Sequence, residues 1–370
     1  MLSDERKELL ALYGVSGIGS KTHARLLERF GSPRAVFGAS AAELMEMDGI
    51  GEKTASSILR FDRGRFIREQ ETLMEKCGAV MLTRTDPEYP PLLKLFKSAP
   101  PVLFVRGEVS ALGMDMVAFV GTRRLTDYGS RMSRKLVSGA VSAGLCVVSG
   151  MAAGVDTASH RAALDSGGKT VAVFGCGVDV IYPSGNRKLA GEIEKSGCLV
   201  SHFPMGTPAL AGNFPARNAV VVGMSQGTVV VEAPEQSGAL ITAELTLRAG
   251  RPLMAVPGNV DSPTCAGTNT LLKNGARPVL APEDILRELG MKPVPGTARP
   301  GRPVPPVQVV PLPEGLAGEI LKVLAHGPLQ VEEISEKLAN PISAILNELT
   351  MLEMDGLIFQ KPGKIFERRG

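Results

Sequence analysis

From about residue 113 to residue 290 the chain repeats one rhythm. A short apolar run rich in valine gives way to small residues, and these lead into a longer amphipathic stretch. The runs are MVAFVG, LCVVSG, TVAVFG, CLVSHF, GTVVVEA and PLMAVPG. Continuous apolar runs of this length belong to strands covered on both faces, and the amphipathic stretches between them to the helices that do the covering. The pattern predicts an α/β domain with a doubly wound, mostly parallel sheet over 113–290.

The flanks follow other patterns. Near the start, YGVSGIGSKTHARLLERF and MEMDGIGEKTASSILRF both carry G-I-G-x-K-T between helical stretches. This is the pattern of a tandem helix-hairpin-helix, and it predicts a helical domain over 1–70. Glycines at such a turn let helix-start N–H groups approach a phosphate, with Lys21 or Lys53 adding charge. Equally, such hairpins serve as structural or protein-binding domains. The proline-rich stretch within 71–112 breaks any long helix and reads as a connecting segment. A second Pro/Gly-rich stretch, 291–315, reads as an extended linker. Beyond it, 316–370 reads as three helices, a strand, a Pro-Gly turn and a strand, which predicts a winged helix.

Charge narrows the partners little. The chain of 370 residues has 41 Lys+Arg against 38 Asp+Glu, so a polyanion must be bound by a local constellation, without help from a global field. Residues 1–70 hold eleven basic and ten acidic residues. Residues 316–370 hold six basic and eight acidic, and PISAILNELTMLEMDG, the expected recognition helix, has no basic residue while carrying Glu348, Glu353 and Asp355. Such a face in a major groove sets carboxylates against phosphates, which favours protein contact or autoregulation over duplex reading. The five cysteines are scattered and form no C-x-x-C pair, as expected of reduced thiols. The amphipathic start lacks the pattern of a signal peptide, and no apolar run reaches the roughly 18 residues of a membrane span, so the expectation is a cytoplasmic chain without a membrane partner.

Candidate chemistry lies where strands end, because ligands of open α/β sheets sit at the carboxyl edge, facing helix starts. VGTRR (120–124), SGMAAG (149–154), GGKT (167–170), GCGVD (175–179), FPARN (214–218) and EQSGALIT (235–242) read as one anion-binding edge. No G-x-G-x-x-G and no P-loop occurs, so no nucleotide cofactor is expected. The stretch VVSGMAAGVDTASHRAAL puts Ser149, Asp156 and His160 close in sequence, the residue types of a hydrolytic triad. Asp156 and His160 at i and i+4 on one helix face are placed to pair with each other, which fits a braced phosphate-binding turn better than catalysis.

Linked blocks in this order, EYPPLLKLFKSAPPVLFVRG, VGTRRLTDYG, VVSGMAAGVDTASHRAAL, GGKTVAVFGCGVDVIYPSGNRKL, FPARN, SGALITAELTLRAGRPLMAVPGN and GTNTLLKNGA, resemble the DNA-processing protein A (DprA/Smf) family. The resemblance implies a Rossmann-like core that binds single-stranded DNA, forms a homodimer and loads the recombinase RecA in natural transformation, with no catalytic turnover. It implies Arg123 as the main phosphate-binding residue, a role that suits a permanently charged guanidinium able to bridge two oxygens. Gly121 and Thr122 add donors. Gly150, Arg217 and Asn218 lie in other matching segments, and Phe214 is placed to stack on a base. Lys169 and Arg187 are further candidate charges. Leu247, Leu271 and Leu272 are candidates for the dimer interface or, equally, for the core.

The chain departs from that family's pattern at three places. Ala219 stands where RNR is usual, Ala211 where a basic residue often precedes the aromatic, and His202 where glutamate is common. Two fewer cations mean fewer neutralised phosphates, each worth about 0.7 in the salt slope on a single strand, so a slope no steeper than about −3 is expected. With aromatics at 4% and no tryptophan, backbone contacts should dominate and base preference should be slight. Two other readings compete. A Rossmann-like nucleotide phosphoribohydrolase would use Glu232, but the P-G-G-x-G-T-x-x-E string is missing. A duplex-binding regulator would use the terminal modules, which lack a basic excess.

Overall fold

A computed structural model describes residues 2–96, 99–291, 315–325, 327–354, 357–361 and 365–368. Most of the expected linker (292–314), Asp355 and the Pro-Gly turn at 362–363 lie outside these. The chain divides into two compact units, Met1–Thr297 and Ala298–Gly370.

The first unit is built on a nine-stranded sheet. Its strands are β1 (Val80–Thr83), β2 (Val102–Gly107), β3 (Met116–Val120), β4 (Cys146–Ser149), β5 (Thr170–Val173), β6 (Cys198–Ser201), β7 (Gly227–Val230), β8 (Leu253–Ala255) and β9 (Arg277–Pro278). They lie in the order β1-β2-β6-β5-β4-β3-β7-β8-β9. The six apolar runs form β3 to β8, all parallel, and β9 pairs parallel with β8. The chain steps outward from β3 to β6 on one side, then returns to lay β7 on the other side of β3. Residue Val117 accordingly pairs with Val147 of β4 and with Gly227 of β7. The point between β3 and β7 is therefore the topological switch, where a doubly wound sheet opens a crevice at its carboxyl edge.

Strand periodicity divides each apolar run between two faces. In β3, Met116, Ala118 and Val120 enter one hydrophobic cluster, and Val117 and Phe119 enter another on the opposite face. The stretch read as a connecting segment contributes more than a connection. Residues 80–83 and 102–107 form an antiparallel pair, and β2 joins β6 antiparallel, extending the sheet at its edge. Leu103 and Val105 point into one cluster, Val102 and Phe104 into another, and all four are fully buried.

The N-terminal helices Asp4–Gly14, Ser20–Phe30, Glu52–Leu59 and Arg63–Cys77 enclose a small core of their own that includes Leu12, Ile18, Leu26 and Ile50. Ile18 and Ile50 are the middle residues of the two G-I-G turns, and both are buried. This helical part is joined tightly to the sheet. Leu10, Tyr13 and Met74 share a cluster with Phe104 and Phe174, and the Gln70 amide bonds the backbone of Met205 in both directions, at 3.2 and 2.8 Å.

In the second unit, helices Leu316–Leu324, Val331–Leu338 and Ile342–Met354 pack with β10 (Leu329–Gln330), β11 (Ile358–Lys361) and β12 (Ile365–Arg368) in the sheet order β10-β12-β11. This is the expected helix-rich module with a wing, around Ile320, Ile334, Leu349 and Phe366. Among the described residues no helix is long and apolar enough to cross a membrane.

Candidate nucleic-acid interface at the topological switch

A cleft of about 540 Å³ opens at the carboxyl ends of β3 and β7. Three helices begin there: Val155–Asp165, Asn213–Met224 and Gly238–Arg248. Their first turns present the positive ends of their dipoles to the same space. Gly121 to Arg124, Gly150, Phe214, Arg217, Asn218 and Ser237 to Ala239 line it. Seven of the nine candidate DNA-contacting residues thus come together, from two loops and the first turns of one helix.

The turn after β3 is held by close packing. The Thr122 N–H donates to the Glu232 carbonyl at 2.6 Å, and the Thr122 carbonyl accepts from Val155 N–H at 3.1 Å. Gly154 has φ +82°, and a Cβ there would lie 2.1 Å from the Thr122 carbonyl oxygen, so glycine alone lets the two loops meet. Held this way, Arg123 projects into solvent. Its guanidinium carbon lies 5.4 Å from the centre of the Phe214 ring. Arg124, also exposed, lines the cleft beside it. It was not singled out from VGTRR, although its adjacency to Arg123 was the available signal.

Arg217 approaches the same ring, at 5.7 Å, from a buried position. It sits on the helix Asn213–Met224, so FPARN belongs to a helix start, where the sequence reading had a turn. Its Nη1 donates to the Val173 carbonyl at 2.9 Å and its Nε to Asn218 Oδ1 at 2.9 Å. Nη2 has no hydrogen-bond partner among the described residues. Asp156, also buried, faces it across Gly150 and accepts from Ala152 N–H at 3.2 Å. A Cβ on Gly150 would lie 1.9 Å from Arg217 Nη1 and 2.4 Å from Asp156 Oδ2, so glycine makes the room that this charged pair occupies. Burial raises the Asp156 carboxyl above its ordinary range, against the pull of Arg217. Burial likewise lowers Arg217, opposed by Asp156.

Asp156 and His160 do not pair as their spacing suggested. With burial pushing His160 down to about 4, the neutral ring donates from Nε2 to the Gly150 carbonyl at 2.6 Å. Its Nδ1 meets the Thr170 hydroxyl at 2.7 Å. Ser149, fully buried, donates to the Phe119 carbonyl at 2.6 Å. Each member of the apparent triad is engaged elsewhere, so no base reaches the serine. Glu232 is similarly committed. Its fully buried carboxylate accepts from the Thr126 backbone at 3.1 Å and hydroxyl at 2.9 Å, which pins the loop after β3.

Two candidates fall outside the cleft. Lys169 immediately precedes β5 and so lies at the amino edge of the sheet, where it forms an ion pair with Glu108. GGKT thus leads into a strand, and the expectation that it joins the carboxyl edge is corrected. Arg187 begins the helix Arg187–Ser196, exposed and without an ion pair among the described residues. Tyr182, which the sequence gave no reason to select, reaches the Phe214 ring at 6.1 Å and helps wall a recess of about 120 Å³ beside the cleft. Of the leucines, Leu247 is 59% exposed, whereas Leu271 and Leu272 pack half-buried on the core.

Comparison with known proteins agrees with this architecture. The family profile described as DNA recombination-mediator protein A matches residues 80–290. Profiles for a SAM-like helix-hairpin-helix tandem and for the DprA winged helix domain match 8–61 and 304–364. The Smf protein of Synechocystis is 34% identical over the full length of both chains. The crystal structure of DNA processing protein A from Streptococcus pneumoniae superposes with a TM-score of 0.68 at 29% identity, covering 78% of this chain and 99% of that one. The DNA processing protein A of Helicobacter pylori, solved for its single-stranded DNA binding mode, gives a TM-score of 0.52 at 29% identity over 57% of this chain and 95% of that one. With the profile and the full-length relative in agreement, and the fold and module order matching, the chain belongs to the DprA/Smf family of DNA recombination-mediator proteins.

Proposed function

We propose that the cleft binds single-stranded DNA by its phosphates and that the chain, as a homodimer, protects the strand and passes it to the recombinase RecA during DNA uptake, without turnover of its own. The observation that carries the DNA reading is the arginine pair around Phe214. An exposed guanidinium and a buried one with a free Nη2 flank a half-buried ring, at a point where three helix starts converge. Arginine forks bind phosphate oxygens two at a time, helix starts favour anions, and the ring offers one stacking surface for a base. The Helicobacter relative's single-stranded DNA binding supports the ligand class, and the mediator family supports the hand-over to a recombinase. Leu247, exposed on the helix Gly238–Arg248, is the anchor we assign to the dimer.

Arg123→Ala tests the site, because the residue is exposed and its loss leaves the fold intact. Oligo-dT affinity should fall, and the slope of log affinity against log salt should flatten by about 0.7. Unchanged binding by the folded variant would remove the assignment. The phosphoribohydrolase reading needs a carboxylate free to act, and Glu232 is engaged with Thr126. Nucleoside monophosphates should therefore release no base.

A further inference from the structure

Residues 123–135 hold a larger net charge than the whole chain. These thirteen residues set Arg123, Arg124, Arg131, Arg134 and Lys135 against Asp127 alone, a net charge of +4, where the whole chain nets +3. All five cations are exposed. Arg123 and Arg124 line the cleft. Thr126 then caps the helix Asp127–Ser142, and Arg131, Arg134 and Lys135 follow on one face of it, three and four positions apart.

The fold gains nothing from this stripe. Like charges at such spacings on a helix repel one another. The helix dipole favours a cation only in the last turn, and the last turn here has no basic residue. Elsewhere charged helix faces mix signs, as in the pairs Arg65–Glu69 and Glu244–Arg248. Arg131 and Arg134 by contrast form neither an ion pair nor a hydrogen bond among the described residues. Lys135 donates to the Leu280 carbonyl at 3.0 Å and pairs with no carboxylate among the described residues. Three crowded cations without carboxylate partners are matched to an anion from outside.

A continuous surface leads to them from the cleft. Arg124 lines the cleft, and two residues on, Thr126 lines a second cavity, of about 710 Å³. Arg131 belongs to this cavity, together with Tyr128, Asn259, Ser262 and Thr264. Its carboxylates are Asp127, exposed in the first turn of the helix, and Glu232, buried and engaged with Thr126. Residues 122–124 border the cleft and 126–128 the cavity, so the chain itself runs from one to the other.

We propose that the helix Asp127–Ser142 extends the DNA interface, which rests on the strand binding proposed above. A single strand held in the cleft leaves it over Arg124 and lays its next phosphates along Arg131, Arg134 and Lys135. A single strand is the occupant because the stripe begins at the cleft's own arginines, where Phe214 offers its ring to an unpaired base.

The double variant Arg131→Gln/Arg134→Gln tests this in the full chain, since both side chains stand in solvent without partners. Affinity and its salt slope are measured by anisotropy for two oligo-dT strands, one of about 5 nucleotides and one of about 20, which bracket the usual length of a single-strand site. For the long strand the double variant should flatten the slope by about 1.4, the share of two phosphates, while the short strand binds as it does to the wild type. Arg131→Lys/Arg134→Lys should keep the wild-type slope, because counterion release follows charge. Arg123→Ala should weaken both strands. An unchanged long-strand slope in the double variant overturns the proposal, and if Arg123→Ala still weakens both strands the cleft reading stands without it. Equal losses for the short and long strands also overturn it, since the stripe would then act on the cleft and extend nothing. A long-strand slope that flattens in the double variant but not in Arg123→Ala supports the stripe as a strand-binding face and removes the cleft reading. A duplex of about 20 base pairs that loses as much affinity in the double variant as the long strand does overturns the single strand as occupant.

Discussion

Gly150 decides whether the cleft can hold its buried charges. Its missing side chain is the space in which Arg217 Nη1 and Asp156 Oδ2 sit. Gly150→Ala must push the guanidinium off Val173 or part it from Asp156, leaving a buried charge without its partners. A cost of about 1–3 kcal/mol is expected of forcing a Cβ into this filled space. Oligo-dT binding should fall with it, as measured by denaturant unfolding and anisotropy on the same sample. The candidate chemistry was legible at this scale where it was local. VGTRR and SGMAAG announce themselves by glycine and arginine after an apolar run. The Arg217–Gly150 relation was hidden because it joins residues 67 positions apart on different elements.

At the scale of elements, the six apolar runs all form strands because each is long enough, and apolar enough on both faces, to be covered by helices on each side. The prolines of 71–112 obscured β1 and β2. Proline is excluded from a strand's interior yet tolerated at its ends, and Pro100 and Pro101 stop just short of Val102. Phe104 tests whether this stretch is core. Phe104→Ala should destabilise the first unit by about 3–5 kcal/mol, as expected of a fully buried aromatic and unlike a residue of a surface connection. The helix Gly238–Arg248 carries the dimer proposal, since Leu247 stands uncovered on it. Leu247→Glu should shift the chain from dimer to monomer in sedimentation while leaving the fold intact, because the side chain already stands in solvent.

Across the whole molecule, buried histidines set an acid limit. His23, His160 and His202 are each pushed by burial from 6.5 down to about 4. The unfolded chain therefore takes up these protons first as pH falls, so stability is present above about pH 6.5 and is lost toward pH 4. For His160, fully buried and bonded as a neutral ring, the loss is roughly 3 kcal/mol at the lower end. Asp156 acts with the opposite sign. Its raised carboxyl takes up a proton more readily in the folded state, so its contribution is present at low pH and lost as pH rises through its folded value. Unfolding midpoints measured from pH 7.5 to 4 should fall steadily, and His160→Asn should lose less over that interval than the wild type does from its own starting point.

The sequence by itself determined the parts that depend on near neighbours. Apolar run length marked the parallel strands, the paired G-I-G turns marked the hairpins, and the alternating wing of the last segment marked its module. The charge balance likewise required any polyanion to be met by a local constellation. Tertiary structure alone decided which of these parts face one another. Lys169 and Arg123 both stand beside strands, yet entering a parallel strand and leaving one are opposite edges of the sheet. Ser149, Asp156 and His160 are close in sequence, yet their partners are Phe119, Ala152, Gly150 and Thr170. His202 and Ala219 meet the first hairpin only because the helical part is packed against the sheet. Strand order and helix docking are set by the burial of the whole apolar surface at once, so no short stretch carries that information.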